Sequence, residues 1–357
     1  MRSSVAAVLK LLVGVAVGAV CLVLAFQGVA DTEQQTGIAW QEILAVIRGT
    51  EWWGPVTFLA LLLVQLVLRS ERWRIQVRGL VGHAPGHRES AAINAVAAAA
   101  VFLLPFRLGE FVRPNLSAQR NIMRASAGLA ATALERAIDG LVVTGFFGVL
   151  LVVVHARGAP ELSTQVQAGG VLALVLFGGA MLFFVIAFRW RAGTARVVER
   201  MVARVHGALA TRVASMLTGF LDGLACFRGP RDVLAYVGLT VAYWVVNALS
   251  MLIVMRSMAI DVDALAAFFC VCFLVIGMMI PAPPGNVGNF HVFARSSLTV
   301  FAVAAAPAVA FAIVLHGLSV LGIVVGAAVV FVTGDVSLAG VRAAAQSPQG
   351  PGPTLPA

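Results

Sequence analysis

The chain has 357 residues, 60% of them hydrophobic and 11% charged, with a mean hydropathy of +0.95 and a formal net charge of +9. A water-soluble fold of this length could not hide so much apolar surface, so the solvent is lipid. The basic balance, carried by arginines and the single Lys10, reports orientation in a membrane and not nucleic-acid binding, for which no base-stacking motif is present.

In chain order, apolar runs near Leu9–Phe26, Pro55–Leu68, Ala168–Phe188, Val233–Met255 and Ala308–Val332 each approach or reach the ~20 residues that cross a hydrocarbon core. Arg2 and Lys10 precede the first run, while the loop after it carries Asp31, Glu33, Glu42 and Glu51 against Arg48, so the N-terminus is cytoplasmic. Gly28-Val29-Ala30 imitates a signal-peptide cleavage site, but the run reads as a retained first span. Arg69, Arg72, Arg74, Arg78 and Arg88 crowd one short loop after the second run, and the connection Arg189–Arg231 is again rich in arginine. Both connections are therefore expected in the cytoplasm.

A full crossing at Ala91–Leu104 would break that parity. The segment Ala91–Arg124 is predicted instead to enter from the cytoplasm, turn at Pro105–Gly109 and leave on the same side, after which Ala125–Val154 crosses outward. Irregular backbone at membrane depth survives only where protein or water satisfies it, so this hairpin lines a cavity. A second broken segment, Ala264–Val303 around Pro281-Ala-Pro-Pro-Gly-Asn, is predicted to enter from outside, although two full crossings there keep the same parity. The C-terminus then ends in the cytoplasm. A basic amphipathic helix lying on the cytoplasmic surface is expected over about 195–228, and a disordered Pro/Gly-rich tail over 334–357. Cys21, Cys226, Cys270 and Cys272 lie in apolar surroundings without metal spacing, so they read as small buried hydrophobes, and no metal or cofactor is expected.

The two breaks share a spacing, Pro105-x-x-x-Gly109-Glu110 and Pro281-x-x-x-Gly285-Asn286, displaced by 281 − 105 = 176 residues. That offset brings the other apolar runs into approximate register, so each half reads span, span, broken hairpin, span. Three crossings per half force the second half to run upside down, the plan of many secondary transporters. The expected fold is an all-α polytopic membrane protein of about six full transmembrane helices and two re-entrant hairpins arranged as an inverted repeat. It forms one domain over 1–333, with half-repeats over about 5–155 and 168–333.

Polar chemistry gathers at the breaks. The first hairpin and the span after it carry Arg107, Arg113 and Arg136 against Glu110, Glu135 and Asp139. Charges at membrane depth need partners, and Glu135 and Asp139 share a helix face, so arginines from the hairpin are expected over them. The second hairpin supplies Asn286, Asn289, His291 and Arg295 with no acid in the segment, where a helix restarts after Gly288. A helix N-terminus with an arginine suits an anion. Pro105, Gly109, Pro281, Pro284, Gly285 and Gly288 are the expected structural breaks.

Three motifs, Leu104-Pro-x-Arg107-x-Gly109-Glu110-x-x-Arg113, Glu135-Arg136-x-x-Asp139-Gly140 and Ile280-Pro-x-x-Pro284-Gly285-x-x-Gly288, resemble the transmembrane flippase-like domain of lysylphosphatidylglycerol synthases and its stand-alone relatives. The resemblance extends from the first span to about Val332. It departs at Gly285-Asn286 and His291, where many members have a glycine pair followed by a glutamate. It implies movement or presentation of anionic lipids across a bacterial cytoplasmic (inner) membrane, in a stand-alone member without the soluble aminoacyl-transfer domain. The alternatives are a non-catalytic partner that docks lipid or envelope biosynthesis enzymes through the arginine-rich helix, and an intramembrane enzyme using Glu135 or Asp139 as a base.

Overall fold

Long Ala/Leu/Val runs that must satisfy every backbone group internally have helix as their solution in lipid, and helix is the only regular structure among the described residues. The structure, a computed structural model, describes residues 39–156, 164–190, 222–278, 284–337 and 339–341, with positions 23 and 219. The expected first span and nearly all of the amphipathic helix lie outside the described residues, as does Pro281.

The elements in order are α1 (Ala39–Arg48), α2 (Trp53–Val81), α3 (His87–Leu103), a 3-10 turn (Pro105–Phe111), α4 (Val112–Gln119), α5 (Ala125–Ala156) and α6 (Thr164–Arg189). There follow α7 (Pro230–Ser257), α8 (Ala264–Gly277), a second 3-10 turn (Pro284–Asn286), α9 (Asn289–Thr299) and α10 (Ala305–Val332). Among the described residues four helices, α2, α5, α7 and α10, are long and apolar enough to cross a membrane. Leu63, Val67, Val149, Val152, Leu234 and Val329 are exposed on them, the surface that lipid covers. By contrast α8 and α9 have 14 and 11 residues, too short to span, and each abuts a break.

Of the arginines assigned to a loop after the second span, Arg69, Arg72, Arg74 and Arg78 belong to α2, which continues to Val81 and buries Arg72 and Gln76, and Arg88 lies in the first turn of α3. Polar side chains can ride inside a membrane helix when another helix supplies their partners.

The order long, short, break, short, long occurs twice, and the starts keep step: 230 − 53, 264 − 87 and 289 − 112 are each 177. Packing repeats with the order. In each half the first short helix packs on the preceding long helix, and the second on the following one. Across the halves α3 packs on α10 and α8 on α5, while the two 3-10 turns touch each other. The counterparts α2 and α7 run antiparallel along their length: the Glu51 amide donates to the Ser257 carbonyl at one end, and Arg78 pairs with Asp232 at the other.

The main core joins α5, α7, α8, α9 and α10, with Phe147, Phe269, Phe290 and Phe311 buried in it. Cys226, Cys270 and Cys272 are buried free thiols. Of the residues expected as a tail, Val336 is buried in a second cluster with Val112, Leu116 and Val330. Arg120 donates to the Asp335 carbonyl, and Arg88 pairs with the Asp335 carboxylate at 3.1 Å. The chain just beyond α10 is thus bound to both short helices of the first break.

Candidate functional site

The first break exists because two backbones cross. A Cβ on Gly109 would stand 2.1 Å from the carbonyl carbon of Ala100 and from the amide nitrogen of Val101, so the 3-10 turn lies directly on α3. Only glycine fits there. The turn delivers α4, and Arg113 near its start is buried against α5.

Around Arg113 the partners are complete. Its Nη2 donates to Glu135 Oε2 at 2.6 Å and to Thr132 Oγ1 at 3.0 Å, and its Nη1 to Asn94 Oδ1 at 3.2 Å. Asn94 in turn donates to the Ser90 carbonyl at 2.9 Å, which fixes its amide orientation. Glu135 takes a second cation, Arg136 Nη2, at 2.6 Å on its other oxygen. Asp139, one turn on, is held by Arg72 of α2, whose Nη2 lies 2.6 Å from Oδ1 and also donates to Tyr236 Oη at 3.2 Å. Arg136 lies 3.7 Å from both Asp139 and Glu110. The expected hairpin-to-helix network is therefore present for Arg113, Glu110, Glu135, Arg136 and Asp139, with the side chain of Arg107 outside the described set.

Arg72, Tyr236, Thr132 and Asn94 complete the network but were not among the expected site residues. Charge balance makes so much polarity tolerable at depth. Arg136 alone of the three paired arginines keeps an open side, 34% exposed.

At the second break Gly285 (φ 76°), Asn286 (φ 53°) and Gly288 (φ 93°) are all left-handed, a conformation that glycine adopts freely and asparagine tolerates. The Gly285 carbonyl accepts from His316 Nε2 of α10 at 2.8 Å, and since a carbonyl cannot donate, Nε2 carries the proton. The His316 ring stacks on Phe290 at 4.9 Å, meets His291 edge-on at 4.8 Å and lies 5.7 Å from Phe102 of the first half. His316 was not anticipated. Asn289 is fully buried at the start of α9. Arg295 is engaged within the fold, so it is not the idle cation that an acid-free segment suggested.

The chain thus sets a buried, charge-balanced network at the first break of an apolar helical frame. Residues 11–327 match the lysylphosphatidylglycerol synthase TM region. The chain belongs to that family. It is accordingly a multi-pass membrane protein, as its long apolar helices also require. Among curated proteins it is similar to glycosyltransferase AglD of Haloferax volcanii, 28% identical over 297 residues that cover 74% of this chain and 46% of that protein. The chain thus spans less than half the length of that relative. No solved structure matches it.

Proposed function

We propose that this chain moves an anionic, phosphate-bearing lipid between the leaflets of the cytoplasmic membrane. The observation that carries the reading is Arg136, its side chain 34% exposed, held by Glu135, Asp139 and by Glu110 of the first turn, which itself touches the second turn. A preorganised arginine offers a planar fork to phosphate oxygens, and its network holds it in place without an aqueous shell. Membership of a family named for a phospholipid synthase agrees with such a guest.

In the same proposal both breaks are re-entrant hairpins in an inverted repeat, with both termini cytoplasmic. The antiparallel run of α2 and α7, counterparts at an offset of 177 (230 − 53), supports the inversion, because equivalent helices of two oppositely oriented halves must point in opposite directions. The headgroup would travel between the halves while its tails stay in the bilayer.

The test is reconstitution into vesicles that carry headgroup-labelled phosphatidylglycerol in both leaflets. Added dithionite should bleach label beyond the outer leaflet's share, and Arg136→Gln should slow that phase strongly. Bleaching identical to that of protein-free vesicles would end the proposal. A second reading draws on the relative's name, glycosyltransferase: the domain serves a biosynthetic enzyme as a docking partner. Stable co-purification with such an enzyme, surviving Arg136→Gln, would favour it.

A further inference from the structure

The polar seam does not stop at the network. On α2, Gln65, Arg69, Arg72 and Gln76 recur at four, three and four residues, a single face of a helix. On α7, Tyr236, Thr240, Tyr243, Asn247 and Ser250 form the matching stripe. The stripes meet: Asn247 Nδ2 donates to Gln65 Oε1 at 3.2 Å, and Arg72 lies over the rings of Tyr236 and Tyr243, 5.0 and 5.6 Å from their centroids. From Gln76 to Gln65 this seam runs about 16 Å along the helix axis, roughly half a hydrocarbon core.

Among the described side chains of the seam and network, one charge is left over. Arg72, Arg113 and Arg136 answer Asp139, Glu135 and Glu110, three cations to three acids. Arg69 is a fourth arginine. Among the described residues it has no carboxylate at ion-pair distance, and its Nε is buried without a hydrogen-bond partner. Its strongest charged neighbours include Arg136 and Arg113, which repel it, as well as Glu135. A guanidinium so placed, some 24 Å along α2 from Trp53, is costly unless an anion joins it.

We infer that Arg69, together with the open side of Arg136, binds one singly charged phosphate or phosphodiester group, and that the α2–α7 seam is the path by which that group reaches the breaks. The assignment of its source to a lipid rests on the transport reading above; the site itself does not. One excess cation matches one negative charge, so a singly charged headgroup restores neutrality.

The experiment is thermal unfolding of the purified full-length protein in neutral detergent, titrated with phosphatidylglycerol, with phosphatidylcholine or with inorganic phosphate. Wild type should be stabilised saturably by phosphatidylglycerol and not by phosphatidylcholine. Arg69→Gln should bind phosphatidylglycerol about tenfold or more weakly, the scale of a lost charge-assisted hydrogen bond. Arg256→Gln, which removes an exposed arginine paired with Asp261 at the end of α7, should bind as wild type does. Without ligand, Arg69→Gln should melt no lower than wild type, because an uncompensated cation does not hold the fold together. Failure to fold, or a melting temperature lowered as far as in Arg113→Gln, would make Arg69 a structural partner and overturn the site. Unchanged phosphatidylglycerol affinity in Arg69→Gln, or no stabilisation of wild type by either phosphate compound, would overturn it too. If inorganic phosphate stabilises as well as phosphatidylglycerol, with the same dependence on Arg69, the site stands and the lipid reading fails.

Discussion

Arg72 of α2 and Asp139 of α5 meet through a 2.6 Å contact with side chains only 2% and 9% exposed, joining two helices that are 67 residues apart in sequence. Such a pair contributes specificity of packing more than net stability, since desolvating both charges offsets most of their attraction.

Breaking it from one side leaves a buried charge alone. Asp139→Leu or Arg72→Met should each destabilise the protein by about 3–5 kcal/mol, whereas the double variant Arg72→Met/Asp139→Leu should recover much of that loss. Unfolding in mixed micelles, run as a double-mutant cycle, measures the coupling. Additive losses would show that the two residues do not act as a pair.

At the first break the constraint is steric. Gly109→Ala must push apart backbone atoms 2.1 Å from the new carbon and should cost about 3 kcal/mol or prevent assembly. Gly145→Ala, with nothing within 4 Å of its new carbon, should be neutral or slightly stabilising through helix propensity. Melting temperatures of the two variants make the comparison.

Gly285 differs in kind, because its cost is conformational. With φ at 76°, Gly285→Ala should lose roughly 1–2 kcal/mol and Gly285→Val more, while Gly285→Asn should be the mildest change. An Ala variant as stable as wild type would mean that the break relaxes.

Thiol chemistry can report the sidedness of the first hairpin. Burial pushes the Cys226 thiol up to about 12, so at pH 8 its thiolate is on the order of one part in ten thousand and labelling should begin only well above that pH. Cys270 and Cys272 are buried as well. In a Cys21→Ser background, Leu108→Cys, at an exposed position in the turn, should therefore give the dominant maleimide signal. Labelling by an impermeant reagent from the cytoplasmic side fits the proposed hairpin, and labelling only from outside contradicts it.

Much of this arrangement is written locally in the sequence. Prolines and glycines mark both breaks, and the i, i+4 pair Glu135 and Asp139 announces arginines overhead. Arg69 and Arg72 were misplaced because counting loop charges ignores periodicity; the spacing Gln65, Arg69, Arg72, Gln76 was the available signal for a helix that continues inward. His316 gave none. It is a lone histidine in an apolar run, and its partner is a main-chain carbonyl that no side-chain pattern reveals. Arg295 is engaged within the fold, which its acid-free segment gave no sign of.

The ring of His316 bears on both breaks at once, through the Gly285 carbonyl and through Phe102 at the end of α3. A beam pinned at that point cannot tilt at one end without loading the other. A shift of α10 carries that ring with it, so in the proposed transport cycle the two breaks would move together, as a seesaw and not as two independent doors.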